Sequence, residues 1–178
     1  MSAKTGWRNL FRSKPQPEAD VRSILVVDDD TGLCDNLKDI LEAEGYEIFT
    51  ANSSSEASRV AREKQPSLCL VDLKLPDGSG TALLSDLKKT NPDAPCILMT
   101  AYADVDSAIQ ALEKGAFYYL QKPVRPEELV ELVELAFETI QLKEEKRKSE
   151  EDLRKRNKEL EEIVERLRGI IDASGLKP

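Results

Sequence analysis

From Ser23 onward, short unbroken apolar runs alternate with stretches in which apolar residues recur at helical spacing. Four of the runs are residues 24–27, 68–71, 96–99 and 117–121. Each leads directly into polar residues: Asp28, Asp29 and Asp30; Asp72; Thr100; and Lys122 followed by Pro123. Runs of this length that alternate with helical stretches read as strands of one parallel sheet, and an open α/β sheet builds its site at the carboxyl ends of its strands. The pattern therefore brings the carboxylates of Asp28, Asp29 and Asp72, a hydroxyl and an ammonium to one crevice.

Between the runs the punctuation is regular. A strand over 23–28 leads into a helix over 31–44, with Leu33, Leu37, Ile40 and Leu41 on one face and Gly45 as its stop. A weaker strand follows over 46–50, then a helix opened by Ser53 or Ser54 that reaches Lys64 before Pro66. Residues 75–80 are dense in turn formers and read as a loop. Helices over 81–89 and 104–114, strands over 95–99 and 117–121, and a helix after Pro126 complete five βα units. Five units with short connections predict an open, doubly wound five-stranded parallel sheet, since a closed barrel needs eight.

The last helix continues past the length one domain needs. Leu129, Leu132, Val133, Ala136, Phe137 and Ile140 supply a core-facing stripe, residues 143–152 contain no apolar side chain, and then a heptad begins. Leu153, Leu160 and Leu167 stand seven apart, and Asn157, Val164 and Ile171, also seven apart, each follow one of them by four residues. Leucine at d, β-branched residues at a and one Asn at a is the pattern of a parallel two-stranded coiled coil, which predicts a homodimer through residues 150–172. A solvated single helix held by Glu and Lys pairs is the other reading. At the opposite end, residues 1–20 lack a sustained period and read as a flexible arm. Its Trp7, Leu10 and Phe11, interleaved with Arg8, Arg12 and Lys14, also fit a short amphipathic turn. The domain boundaries are thus 1–20, 21–142 and 143–178.

Charge narrows the partners. The formal net charge is -8, and residues 21–142 hold 22 acidic against 11 basic side chains, which argues against nucleic acid as a direct ligand. No stretch is apolar and long enough for a membrane span, and the start lacks the apolar core of a secretory signal, so the expected location is cytoplasmic. Cys34, Cys69 and Cys96 lack any metal-ligand spacing and read as buried free thiols. The chain has no histidine, so it can receive a phosphoryl group from one but cannot carry one on its own.

Asp28 and Asp29 follow the first strand and Asp72 follows the third, so these carboxylates face one another across the switch point of the sheet. Like charges this close need a shared cation, and oxygen donors suit Mg²⁺; one of the three consecutive aspartates is left to cap the following helix. Phosphoryl transfer to a carboxylate needs an accessible nucleophile, for which Asp72 is the candidate, and donors around the transferred group, for which Thr100 and Lys122 are placed.

Residues 23 to about 142 resemble the receiver domain of bacterial two-component response regulators. The resemblance rests on ILVVDDD at the first strand, LVDLKLPDGSG at the third, LMTAY at the fourth and YYLQKP at the fifth, with Leu75 where that family often has Met. It implies a flavodoxin-like sheet of order 2-1-3-4-5 and a phosphoryl group accepted on Asp72 from a histidine kinase or phosphotransfer protein. It also implies Mg²⁺ on Asp28, Asp29, Asp72 and the backbone carbonyl of Lys74. Thr100 is the implied switch hydroxyl, Tyr119 the switch aromatic and Lys122 the phosphate-binding lysine, with a cis bond to Pro123.

Two other classes compete. A haloacid-dehalogenase-like hydrolase uses similar strand-end groups but needs an acid/base Asp two residues beyond the nucleophile, where Lys74 stands. The other is a coiled-coil adaptor whose receiver only modulates dimerisation. Residues 143–178 contain no basic helix-turn-helix, cyclase signature or P-loop, so the expected output is protein contact with an unknown target rather than DNA binding or catalysis.

Overall fold

The computed structural model describes residues 22–101 and 105–174. The expected N-terminal arm, with Trp7 and Phe11, and Tyr102 of the LMTAY motif lie outside the described residues. In chain order the elements are β1 (Ser23–Val27), α1 (Thr31–Ala43), β2 (Glu47–Ala51), α2 (Ser54–Lys64), β3 (Leu68–Asp72), β4 (Lys74–Leu75) and β5 (Gly78–Ser79). They continue with α3 (Gly80–Thr90), β6 (Cys96–Thr100), α4 (Val105–Glu113), β7 (Tyr118–Gln121) and α5 (Pro126–Ser174). The chain forms two compact units, Met1–Val130 and Glu131–Pro178, and the single helix α5 begins in the first and runs through the second.

Five strands form one parallel sheet, as the alternating pattern predicts, and their order, β2-β1-β3-β6-β7, is the one the family resemblance implies. Every residue of β1, β3 and β6 is buried. Helices cover both faces of a parallel sheet, so its central strands are apolar without alternation. Leu25, Val27, Cys69, Val71, Cys96 and Leu98 share one core cluster with side chains of α2, α3 and α4. On the other face α1 packs against β1 and β2 and buries Cys34, Leu37 and Leu41. The three cysteines are free and buried, as expected; burial pushes the Cys34 thiol up to about 11 and the Cys69 thiol up to about 12, which makes both poor nucleophiles.

Local signals place most boundaries within a residue or two. Asp30 caps α1 by accepting from Leu33 N at 3.0 Å, Ser53 caps α2 by accepting from Glu56 N at 3.2 Å, and Ser79 caps α3 by accepting from Ala82 N at 3.2 Å. The chain leaves α1 and α4 through Gly45 and Gly115, whose φ values are +90° and +88°. The reading of residues 75–80 as a plain loop needs correction. Lys74–Leu75 and Gly78–Ser79 pair as a small antiparallel hairpin with Pro76 and Asp77 at its tip. Two-residue strands carry no periodicity, so only the turn residues between them were visible in the sequence.

Candidate functional site

The sheet register sets the site. Val27 pairs with Val71, Asp72 with Met99, and Thr100 with Gln121, so the polar residues at these strand ends emerge side by side. Asp28 N extends the ladder by donating to Ala51 O at 3.1 Å, and the Cys34 thiol donates to Asp28 O at 3.5 Å. Asp28, Asp72 and Thr100 are buried at 0%, 7% and 1% exposure, whereas Asp29 is exposed. A carboxylate is rarely so enclosed without a charged partner.

That partner comes from 94 residues away. Lys122 Nζ donates to Asp28 Oδ2 at 2.5 Å and to Asp72 Oδ2 at 2.8 Å, and its own backbone N donates to Thr100 O at 2.7 Å. The bond from Lys122 to Pro123 is cis. Burial works against the Lys122 charge, but the hydrogen bonds to Asp28 and Asp72 outweigh it and raise the ammonium above its ordinary pKa. Burial lifts the Asp28 carboxyl above its ordinary value, and Lys122 together with the Asp30 N–H that donates to Oδ1 at 3.1 Å offsets only part of this. One ammonium therefore leaves the cluster short of positive charge.

Asp28, Asp29 and Asp72 each offer a carboxylate oxygen, and these oxygens lie within 4.8 Å of one another. Three hard anionic donors around one crevice fit a small divalent cation such as Mg²⁺. Asp30 is not in this set, since its carboxylate is committed to the cap of α1. Lys74 begins β4 beside the cluster, and its N–H donates to Asp72 Oδ1 at 3.3 Å. Thr100 closes β6 next to Lys122. Tyr119, half-buried on β7, is linked to α4 by a 2.7 Å hydrogen bond between its hydroxyl and that of Ser107. The structure thus gathers Asp28, Asp29, Asp72 and Lys122 directly and sets Lys74 and Thr100 at their edge, with Tyr119 on the neighbouring strand.

Two residues were not singled out in the sequence. Ser107 is an ordinary first-turn helix residue, and only the packing of α4 on β7 reveals its partner. Gly80 was read as a turn former, but its role is steric: a Cβ there would sit 2.2 Å from Asp72 O and 2.9 Å from Leu73 Cα. Only glycine lets α3 begin this close to the backbone of the central aspartate.

Comparison with known proteins agrees with this geometry. The sequence profile of the response regulator receiver domain matches residues 24–134, and the chain belongs to that family. Its function class is therefore that of a phosphorelay receiver, which displaces the hydrolase reading and favours the receiver over the scaffold. Among curated relatives, the transcriptional regulatory protein ZraR of Klebsiella oxytoca is 42% identical over 101 residues, covering 57% of this chain and 23% of that protein. The DNA-binding transcriptional regulator NtrC of Escherichia coli K12 is 38% identical over 113 residues, covering 64% and 24%. The chain spans about a quarter of the length of these relatives. A receiver domain protein of Clostridium thermocellum superposes with a TM-score of 0.64 at 37% identity, covering 67% of this chain and 97% of that one. The beryllofluoride-activated NtrC4 receiver domain dimer does so with a TM-score of 0.64 at 34% identity, covering 67% and 98%.

Proposed function

We propose that Asp72 accepts a phosphoryl group from a histidine kinase or phosphotransfer protein, and that the modification changes which proteins the chain binds. The observation that carries this is the Lys122 ammonium held between Asp28 and Asp72, with Asp29 completing the carboxylate cluster. An Asp72 oxygen attacks phosphorus as the P–N bond of the donor phosphohistidine breaks, and the imidazole leaves with the bonding pair. Asp28, Asp29, Asp72 and the Lys74 carbonyl would hold Mg²⁺, which when bound would supply charge neutralisation for the incoming group. Lys122, already within 2.8 Å of Asp72, pairs with a phosphoryl oxygen, and the Thr100 hydroxyl donates to another. Tyr119 follows Thr100 and transmits the change to α4, to which its hydroxyl is bonded through Ser107. In this reading the chain is a phosphoacceptor and performs no chemistry beyond its own phosphorylation and dephosphorylation.

The receiver is taken as residues 21–142 and the helical extension as 143–178, in the cytoplasm. Among the described residues no helix is long and apolar enough to cross a membrane. The strongly acidic receiver favours a protein rather than a nucleic acid as its direct partner. A homodimer through residues 150–172 is supported by Leu153, Leu160 and Leu167, each more than half exposed on α5. A second copy buries that seam.

The test is acetyl phosphate with Mg²⁺, read by mass spectrometry. One acid-labile phosphoryl group is expected, on Asp72, and none on Asp72→Asn. Full-yield labelling of that variant overturns the assignment.

A further inference from the structure

The β4–β5 hairpin carries Lys74, and its tip reaches back to an element far away in the chain. Asp77 Oδ1 accepts from Ser54 N at 2.7 Å and Asp77 Oδ2 accepts from Ser55 N at 2.9 Å. These are first-turn N–H groups of α2, which the helix cannot satisfy internally, and a carboxylate is the favoured acceptor there. The helix nonetheless has a cap of its own, because Ser53 Oγ accepts from Glu56 N and Glu56 Oε2 accepts from Asn52 N at 3.0 Å. The second cap is supplied across more than twenty residues, and it restrains the hairpin as much as the helix. At its base the same segment is fixed by Gly80 N donating to Leu73 O at 2.8 Å and by the close approach of Gly80 to Asp72. Leu75 is buried in the core between these two anchors.

We propose that Asp77 is a positioning residue for the cation site: its two-oxygen hold on α2 fixes the hairpin and so the placement of the Lys74 carbonyl that would serve as a ligand. This rests on the reading of Lys74 as a backbone ligand. Both Asp77 oxygens are committed to the α2 amides and lie outside the Asp28, Asp29 and Asp72 cluster, so its effect is on affinity rather than on the transfer step.

Calorimetric titration of Mg²⁺ into the full chain tests it, with Asp77→Ala, Asp77→Asn and Ser53→Ala beside the parent. Loss of a residue that orients a metal ligand costs about tenfold in affinity, which is the weakening expected for Asp77→Ala. Asp77→Asn keeps one acceptor oxygen and falls between, and it carries the comparison if Asp77→Ala loses its circular-dichroism signal. Ser53→Ala loosens the same helix through its other cap and leaves Mg²⁺ affinity unchanged. Labelling by acetyl phosphate is slow in Asp77→Ala at low Mg²⁺ and regains the parental rate at saturation. Unchanged affinity in Asp77→Ala while amide exchange at Ser54 and Ser55 rises overturns the inference, as does an equal weakening in Ser53→Ala. A parent that binds no Mg²⁺ overturns the reading of the site, and this inference with it.

Discussion

The carboxyl end of the sheet and the distal part of α5 break the usual burial rule in opposite directions. The first encloses charge: Asp28, Asp72 and Lys122 are drawn together within hydrogen-bonding distance at little exposure. The second exposes hydrocarbon: Leu153, Leu160, Ile163, Val164, Leu167, Ile170 and Ile171 are each 45% exposed or more. Both arrangements cost free energy unless something is added. A buried excess of carboxylate is relieved by a cation, and an exposed apolar seam by another helix. Their origins differ as well, because the site joins residues 94 positions apart whereas the seam repeats every seven.

That contrast can be broken by variants confined to one region. Leu160→Glu has the largest expected effect: a charge at the middle d position of both helices weakens association by about a hundredfold or more. Sedimentation at several concentrations is expected to show the parent moving from monomer to dimer and the variant staying monomeric, with Asp72 labelled as before. Gly80→Ala is next, since its Cβ has no room against Asp72 O, and overpacking of this kind costs about 1–3 kcal/mol. Thermal unfolding checks it. Asp29→Ala is expected to weaken Mg²⁺ binding by about tenfold through loss of a charged ligand, leaving the fold and the concentration dependence of assembly intact.

The smallest expected effect is a pH dependence at the hairpin tip. The Ser55 and Ser54 N–H groups hold the Asp77 carboxyl below its ordinary value of 3.8. A depressed folded pKa contributes stability above the unfolded value and loses it as pH falls through the folded one. The difference in thermal midpoint between parent and Asp77→Ala is therefore expected to be flat from about pH 7 to 5 and to close below about pH 4.

What the sequence made legible follows from the range over which each signal acts. Strands buried on both faces print continuous apolar runs, so β1, β3 and β6 were located within a residue or two. The caps at Asp30 and Ser53 and the exits at Gly45 and Gly115 are contacts within a few residues, and they too can be read locally, whereas the cap at Ser79 lay hidden among turn formers. Asp28, Asp29, Asp72, Thr100 and Lys122 were selected because each stands at a strand end, which topology alone brings together. The pairing of Lys122 with both buried carboxylates, the Tyr119–Ser107 bond and the reach of Asp77 to α2 depend on packing between distant elements. The hairpin was missed for want of length, and Gly80 because a steric requirement looks like a turn preference until the neighbouring backbone is in place.

The uninterrupted course of α5 places an unusual restriction on residues 143–152. They contribute no apolar side chain, and a helix advances by about 100° per residue. Deleting one of them turns the Leu153–Leu167 seam by that angle relative to the helix's own first turns, and deleting seven nearly restores it. Along one continuous helix the heptad positions therefore keep their facing only when the number of residues between changes by whole heptads.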